Sequence, residues 1–111
     1  MNQTIPILMV DDRPENLLSL EQLLADQGYG LVKALSGNEA LRLTLRQDFA
    51  LILMDVQMPE MDGFETAELM RANSKTRHIP IIFVTAGMKD LQFQFKGYDA
   101  CLLYTSDAAD E

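Results

Sequence analysis

A single cysteine, Cys101, occurs in 111 residues. This excludes an internal disulfide framework and any paired-thiol metal site. No apolar run approaches the roughly 20 residues that cross a bilayer, so no membrane contact is expected. The start, Met1-Asn2-Gln3-Thr4, has no basic segment, and the apolar stretch after it is short and broken by Pro6. A secretory signal is therefore not expected, and the cytoplasm is the expected location. Basic residues are scarce: Lys and Arg number 9 against 17 Asp and Glu, for a formal charge of −8. They are scattered rather than clustered, which argues against direct nucleic-acid binding. Repeats and low-complexity tracts are also missing. What remains is 48% apolar, enough for one hydrophobic core at this length.

Three β-rich runs carry that core. Ile5 to Val10 ends on Asp11-Asp12, Phe49 to Met54 on Asp55, and Ile79 to Val84 on Thr85. Uninterrupted apolar runs of this kind suit strands buried on both faces. Between them lie helical patterns. Leu17, Leu20 and Leu24, with Leu18 and Leu23 beside them, form a stripe after Pro14, with Gly28 and Gly30 as the expected stop. Asp12, just before Arg13-Pro14, is the expected cap of that helix if it is not a ligand. Leu31 to Leu35 reads as a short strand. Ser36-Gly37-Asn38-Glu39 is a capping box ahead of Ala40, Leu41, Leu43 and Leu45. Asp62 is a suitable N-cap for a helix over 63–72, and 88–96 reads as a further short helix. Strands alternating with helices at this spacing imply a parallel sheet covered on both faces. Ligands of such sheets bind beyond the carboxyl ends of the strands, where Asp11, Asp12, Asp55 and Thr85 all fall.

Three crowded carboxylates repel one another unless a cation joins them. Hard oxygen ligands select Mg²⁺ or a similar ion. A carboxylate beside such an ion can attack phosphorus, and Thr85 could donate to a phosphoryl oxygen placed on Asp55. His78, the only histidine, stands in a loop entering a strand and reads as a solvent-facing connector rather than a phosphate relay. The methionines, among them Met54, Met58 and Met61, read as packing. Phe93 and Phe95 read as cover for the sheet or a partner surface.

These residues resemble a known family. Val10-Asp11-Asp12, Ile52-Leu53-Met54-Asp55, Met58-Pro59-x-Met61-Asp62-Gly63 and Val84-Thr85-Ala86 are similar, in order and spacing, to the motifs of response regulator receiver domains. The resemblance implies an α/β, doubly wound, flavodoxin-like parallel sheet of order 2-1-3-4-5. It implies that Asp55 takes a phosphoryl group from a histidine kinase or phosphotransfer domain, with Mg²⁺ as cofactor. Asp12 would ligate the ion directly, Asp11 largely through water, and the main-chain carbonyl of Gln57 would add a ligand. Thr85 would be the switch hydroxyl. The expected role is a signalling switch, not a turnover enzyme, with a fused output or kinase domain in the parent protein. A pseudo-receiver that only binds a partner is the alternative. Its mark would be loss of an acid, and none is lost. A phosphotransferase with an aspartyl intermediate usually carries a second acid two residues beyond the nucleophile, where this chain has Gln57.

The resemblance breaks after Ala100. The family's fifth strand ends in Lys-Pro, and no lysine follows Lys96 here. Residues 101–111 resemble translated sequencing-adapter DNA, so the receiver is expected over 1–100, without its native fifth strand and helix, and 101–111 as a non-native tail. The fourth strand is then expected to show an open edge, unless Leu102-Leu103-Tyr104 fills the slot. One sheet face would keep only the first helix, leaving Ile7, Met9, Ile82 or Val84 to water, and the fragment would be marginal or aggregated. Losing the lysine should weaken phosphoryl stabilisation by roughly 10²–10³-fold.

Overall fold

A computed structural model describes residues 4–86 and 101–105. Its elements alternate: β1 Ile5–Val10, α1 Pro14–Leu24, β2 Tyr29–Ala34, α2 Gly37–Arg46, β3 Leu51–Asp55, α3 Gly63–Ala72, β4 Ile81–Ala86 and β5 Cys101–Thr105. The strands form one sheet of order β2-β1-β3-β4-β5. Every neighbouring pair is parallel. This is the doubly wound order that the family resemblance implies.

Side chains alternate across the central strands, so each run feeds two cores. Leu8, Val10, Ile52, Met54, Ile81 and Phe83 face α2 and α3, where Ala40, Ala67 and Met70 meet them. Ile7, Met9, Leu53 and Val84 face the other way, with Leu17 and Leu20 of α1. Phe83 is 1% exposed and meets Phe64 of α3 edge-on, centroids 4.8 Å apart. Burying one such side chain contributes about 1.5–3 kcal/mol. The α1 stripe is borne out for Leu17, Leu20 and Leu24, but Leu18 and Leu23, expected beside them, are exposed because they fall on the helix's other side.

Helix starts follow the sequence closely. Ser36 Oγ accepts from the Glu39 amide at 3.1 Å, while the Glu39 carboxylate reaches one residue further back, to the Leu35 amide. Asp62 and Glu65 complete a reciprocal box at α3, with bonds of 2.8 and 3.0 Å. Asp62→Ala is therefore expected to lower stability by about 1 kcal/mol in a denaturant titration. A midpoint equal to wild type would show that water replaces the cap at no cost.

Several expectations need correction. The first helix ends at Leu24, before Gly28. Asp26 (φ 67°) and Gly28 (φ 83°) supply the left-handed turn instead, and Gly30 lies inside β2. β3 starts at Leu51 rather than Phe49 and includes Asp55. β4 runs from Ile81 to Ala86, not from Ile79 to Val84. Pro80 has no N–H to give a ladder, though its carbonyl accepts from the Ile52 amide. Thr85 thus lies within the strand. Ile7, Met9 and Val84 are buried, and Ile82 is half-buried, so the expected exposure of that face is largely not seen. Of the two outcomes expected at the β4 edge, the filled slot is the one observed, with Leu102, Leu103 and Tyr104 inside β5. β5, from the segment set apart as a tail, pairs along it from Ile82–Cys101 to Ala86–Thr105. The helix expected over 88–96, with Phe93 and Phe95, lies outside the described residues.

Candidate functional site

The site is built where β1 and β3 end side by side. Val10 of β1 is the register partner of Met54 of β3. One step further along both strands stand Asp11 and Asp55. Asp11 prolongs the sheet, its amide donating to the Ala34 carbonyl at 3.1 Å. Asp12 follows before α1. Asp11, Asp12 and Asp55 each offer a carboxylate oxygen, and these oxygens lie within 4.8 Å of one another. Asp11 is buried, and Asp12 and Asp55 are half-buried. Three acids that the sequence separates by up to 44 positions are thus brought together as expected. Such a hard-oxygen donor set, open to solvent on one side, fits a small divalent cation.

Electrostatics follow from that crowding. Burial, then the charges of Asp11 and Asp12, push the Asp55 carboxyl up to about 7, against the pull of the Val56 and Gln57 main-chain amides. Burial also raises Asp11, opposed by hydrogen bonds from the Arg13 amide and the Asn16 side chain. A raised Asp55 binds a proton in the folded state at pH values where the unfolded chain has released it. Without divalent cations, this group's contribution to stability therefore falls as pH rises from about 4 to about 7. The stability advantage of Asp55→Asn over wild type is expected to grow by about 1–2 kcal/mol between pH 5 and pH 8. This is less than the full shift converts to, because the carboxylate keeps contact with water. A difference that stays flat across this range in paired denaturant titrations would contradict it.

The loop after β3 is shaped to support the acids. Val56 and Met58 are buried and anchor it from below. The Met61 amide donates to the Pro59 carbonyl at 2.7 Å, with Glu60 between them at φ 69°. This is a γ-turn of the strained hand, which glycine adopts without the side-chain penalty. Glu60→Gly is expected to raise stability by about 0.5–1 kcal/mol, read as a higher denaturant midpoint. A lower midpoint would mean that the Glu60 side chain itself holds the turn. Gly63 closes the loop: its amide donates to the Val56 carbonyl at 2.8 Å, and a methyl group at Gly63 would collide with the main-chain carbonyl of Asp55.

Gln57 lies two residues beyond Asp55, with its side chain exposed and its main chain in this loop. Thr85 follows Val84, the register partner of Asp55, which puts its backbone at the same sheet end. Its side chain lies outside the described residues. His78 is exposed and within 3.1 Å of Asp48, far from the acids in the fold's connectivity, as a connector should be. Asp12 does not cap α1. The N-cap position is Arg13, without a side-chain cap, and it is Asp11 that accepts from the Arg13 amide at 2.9 Å. Sequence reasoning also passed over Asn16, whose Nδ2 donates to Asp11 at 3.1 Å. A polar amide in a helix's first turn, five residues after an acid at a strand end, was the available signal.

Comparison with known proteins agrees with this geometry. The family model described as "Response regulator receiver domain" matches residues 7–101. A probable cyclic di-GMP phosphodiesterase of Vibrio cholerae is 43% identical over 79 residues, covering 71% of this chain and 18% of that protein. The polar-differentiation response regulator DivK of Brucella ovis is 37% identical over 83 residues, covering 75% of this chain and 68% of DivK. The chain thus spans under a fifth of the first relative and about two thirds of the second. Among solved structures, the response regulator TrrA of Thermotoga maritima, in complex with Mg²⁺-BeF, superposes with a TM-score of 0.77 at 27% identity, covering 93% of this chain and 88% of TrrA. Motif, topology, acidic cluster and a match over most of its length agree: this chain belongs to the response regulator receiver domain family, the signalling-switch module of two-component systems.

Proposed function

We propose that Asp55 accepts a phosphoryl group from a phosphohistidine of a histidine kinase or phosphotransfer domain. One observation carries this reading: the oxygens of Asp11, Asp12 and Asp55 gather within 4.8 Å at the carboxyl edge of the sheet. Asp11, Asp12 and Asp55, with the main-chain carbonyl of Gln57, would hold Mg²⁺. When bound, the ion would neutralise charge on the transferring group and keep Asp55 ionised. An Asp55 carboxylate oxygen then attacks phosphorus, the P–N bond breaks, and the imidazole leaves with that bond's electron pair. The Val56 and Gln57 amides hold the carboxylate in place. Thr85 would turn inward to donate to the new phosphoryl oxygens, biasing the domain between two states. The Mg²⁺-BeF complex of TrrA supports this assignment by similarity.

On this reading the domain is a self-modified acceptor and not an enzyme acting on external substrates. It would work in the cytoplasm, joined to an output or kinase domain in its parent, as the much longer phosphodiesterase relative suggests. No described helix is long and apolar enough to cross a membrane. Residues 101–111 would be foreign to that parent, which a read of the genomic locus across Ala100 checks. The functional test is incubation with acetyl phosphate. Mg²⁺-dependent incorporation of one hydroxylamine-labile phosphoryl group is expected. Absence of label, in a protein carrying the parent's own sequence after Ala100, would overturn the proposal in favour of a binding-only receiver.

A further inference from the structure

Asn16 stands in the first turn of α1, behind the N-cap Arg13 and Pro14. Its Nδ2 donates to Oδ2 of Asp11 at 3.1 Å, and the Arg13 main-chain N–H donates to Oδ1 at 2.9 Å. Each oxygen of Asp11 therefore has its own protein donor, and the carboxylate cannot turn without breaking one bond. Pro14 removes a competing main-chain donor at this helix start. The neighbouring acid is held quite differently. No hydrogen bond from a described residue reaches the Asp12 carboxylate. Among the described residues, then, one of the two adjacent acids is pinned by two donors and the other by none.

We propose that Asn16 is a positioning residue of the cation site. It fixes the plane of the Asp11 carboxylate and engages its second oxygen. Each oxygen keeps a lone pair for an ion, but Asp11 can no longer swing round to grip one with both oxygens at no cost. A small octahedral cation that keeps its waters is served by this arrangement better than Ca²⁺, which prefers more ligands and bidentate carboxylates. Partners that orient a metal-binding group in this way typically contribute about 10–100-fold in metal affinity. The inference rests on the cation role proposed above.

A merely structural Asn16 would only help to start α1, so affinity and stability must be read separately. Calorimetric titration of the full chain with Mg²⁺ and, separately, with Ca²⁺ does this for wild type, Asn16→Ala and Asn16→Leu, the last keeping a strong helix former. The Mg²⁺ dissociation constant is expected to rise about tenfold in both variants. The ratio of the Ca²⁺ to the Mg²⁺ constant is expected to fall about threefold or more. Melting temperatures without divalent ions are expected to stay within a few degrees of wild type. Folded variants that bind Mg²⁺ within about twofold of wild type would overturn the inference alone. So would an equal loss for both ions accompanied by a lower melting temperature. A wild type that binds no Mg²⁺ would overturn this inference and the proposed function together.

Discussion

Replacing Asp55 by Asn is expected to reduce acid-stable, hydroxylamine-labile phosphoryl incorporation from a small phosphodonor by at least about 10³-fold. The amide is a poor nucleophile toward phosphorus, and no described neighbour supplies a substitute in the same place. Asp11 is the nearest alternative acid, but both its oxygens already accept hydrogen bonds from Arg13 and Asn16. Asp12 belongs to the other strand end and would have to swing across the cluster to align. The same substitution removes one of three crowded negative charges and part of a desolvation cost that pushes the group up to about 7. The variant is therefore expected to be less reactive and, without divalent ions, more stable. Quantitative labelling beside a thermal melt checks both. Residual labelling above a few per cent of wild type would place the acceptor elsewhere, and a less stable variant would contradict the crowding.

Gly63→Val is expected to destabilise the fold by about 3 kcal/mol, a large part of the 5–15 kcal/mol typical of whole domains. The first carbon of any side chain at Gly63 meets the Asp55 carbonyl and the Val56 Cα, which are main-chain atoms of a buried strand end and cannot rotate away. Relief requires α3 or the β3 end to move, which breaks the Gly63 amide bond to Val56 and the packing of Phe64 on Phe83. A melting temperature lower by on the order of 10 °C or more is expected. Gly63→Ala should show most of this loss, because the clash lies at Cβ. Gly28→Ala is the control. Its φ of 83° strains a side chain, but nothing lies within 4 Å, so only about 1 kcal/mol should be lost. Equal losses at the two positions would refute the collision.

The parallel sheet was legible because its strands are buried on both faces, which makes Ile5–Val10, Leu51–Asp55 and Ile81–Ala86 stand out as apolar runs, while the strand order followed from the family motifs alone. Alternation with helices then forces the strands to run parallel, and parallel strands bring their carboxyl ends together. Asp11, Asp12 and Asp55 were legible for that reason. What stayed hidden depends on which of two neighbours wins a shared partner. Asp12 looks like the better cap, yet Asp11 takes the Arg13 amide because the sheet ladder already fixes its main chain on Ala34. Likewise β4 starts late because Pro80 cannot donate, and it reaches past Val84 because Thr85 and Ala86 pair with Tyr104 and Thr105 of β5. The Asn16 contact depends on side-chain reach across a turn, which spacing alone does not settle.

β5 holds its place through main-chain pairing with β4, which asks little of the side chains that accompany it. Its register sets Tyr104 beside Thr85, at the carboxyl end of the sheet. Main-chain pairing at this margin accepts many sequences, whereas the acidic corner depends on particular atoms. A familiar silhouette in this family is therefore weak testimony to competence, and each grafted or truncated version has to be judged at its reactive corner.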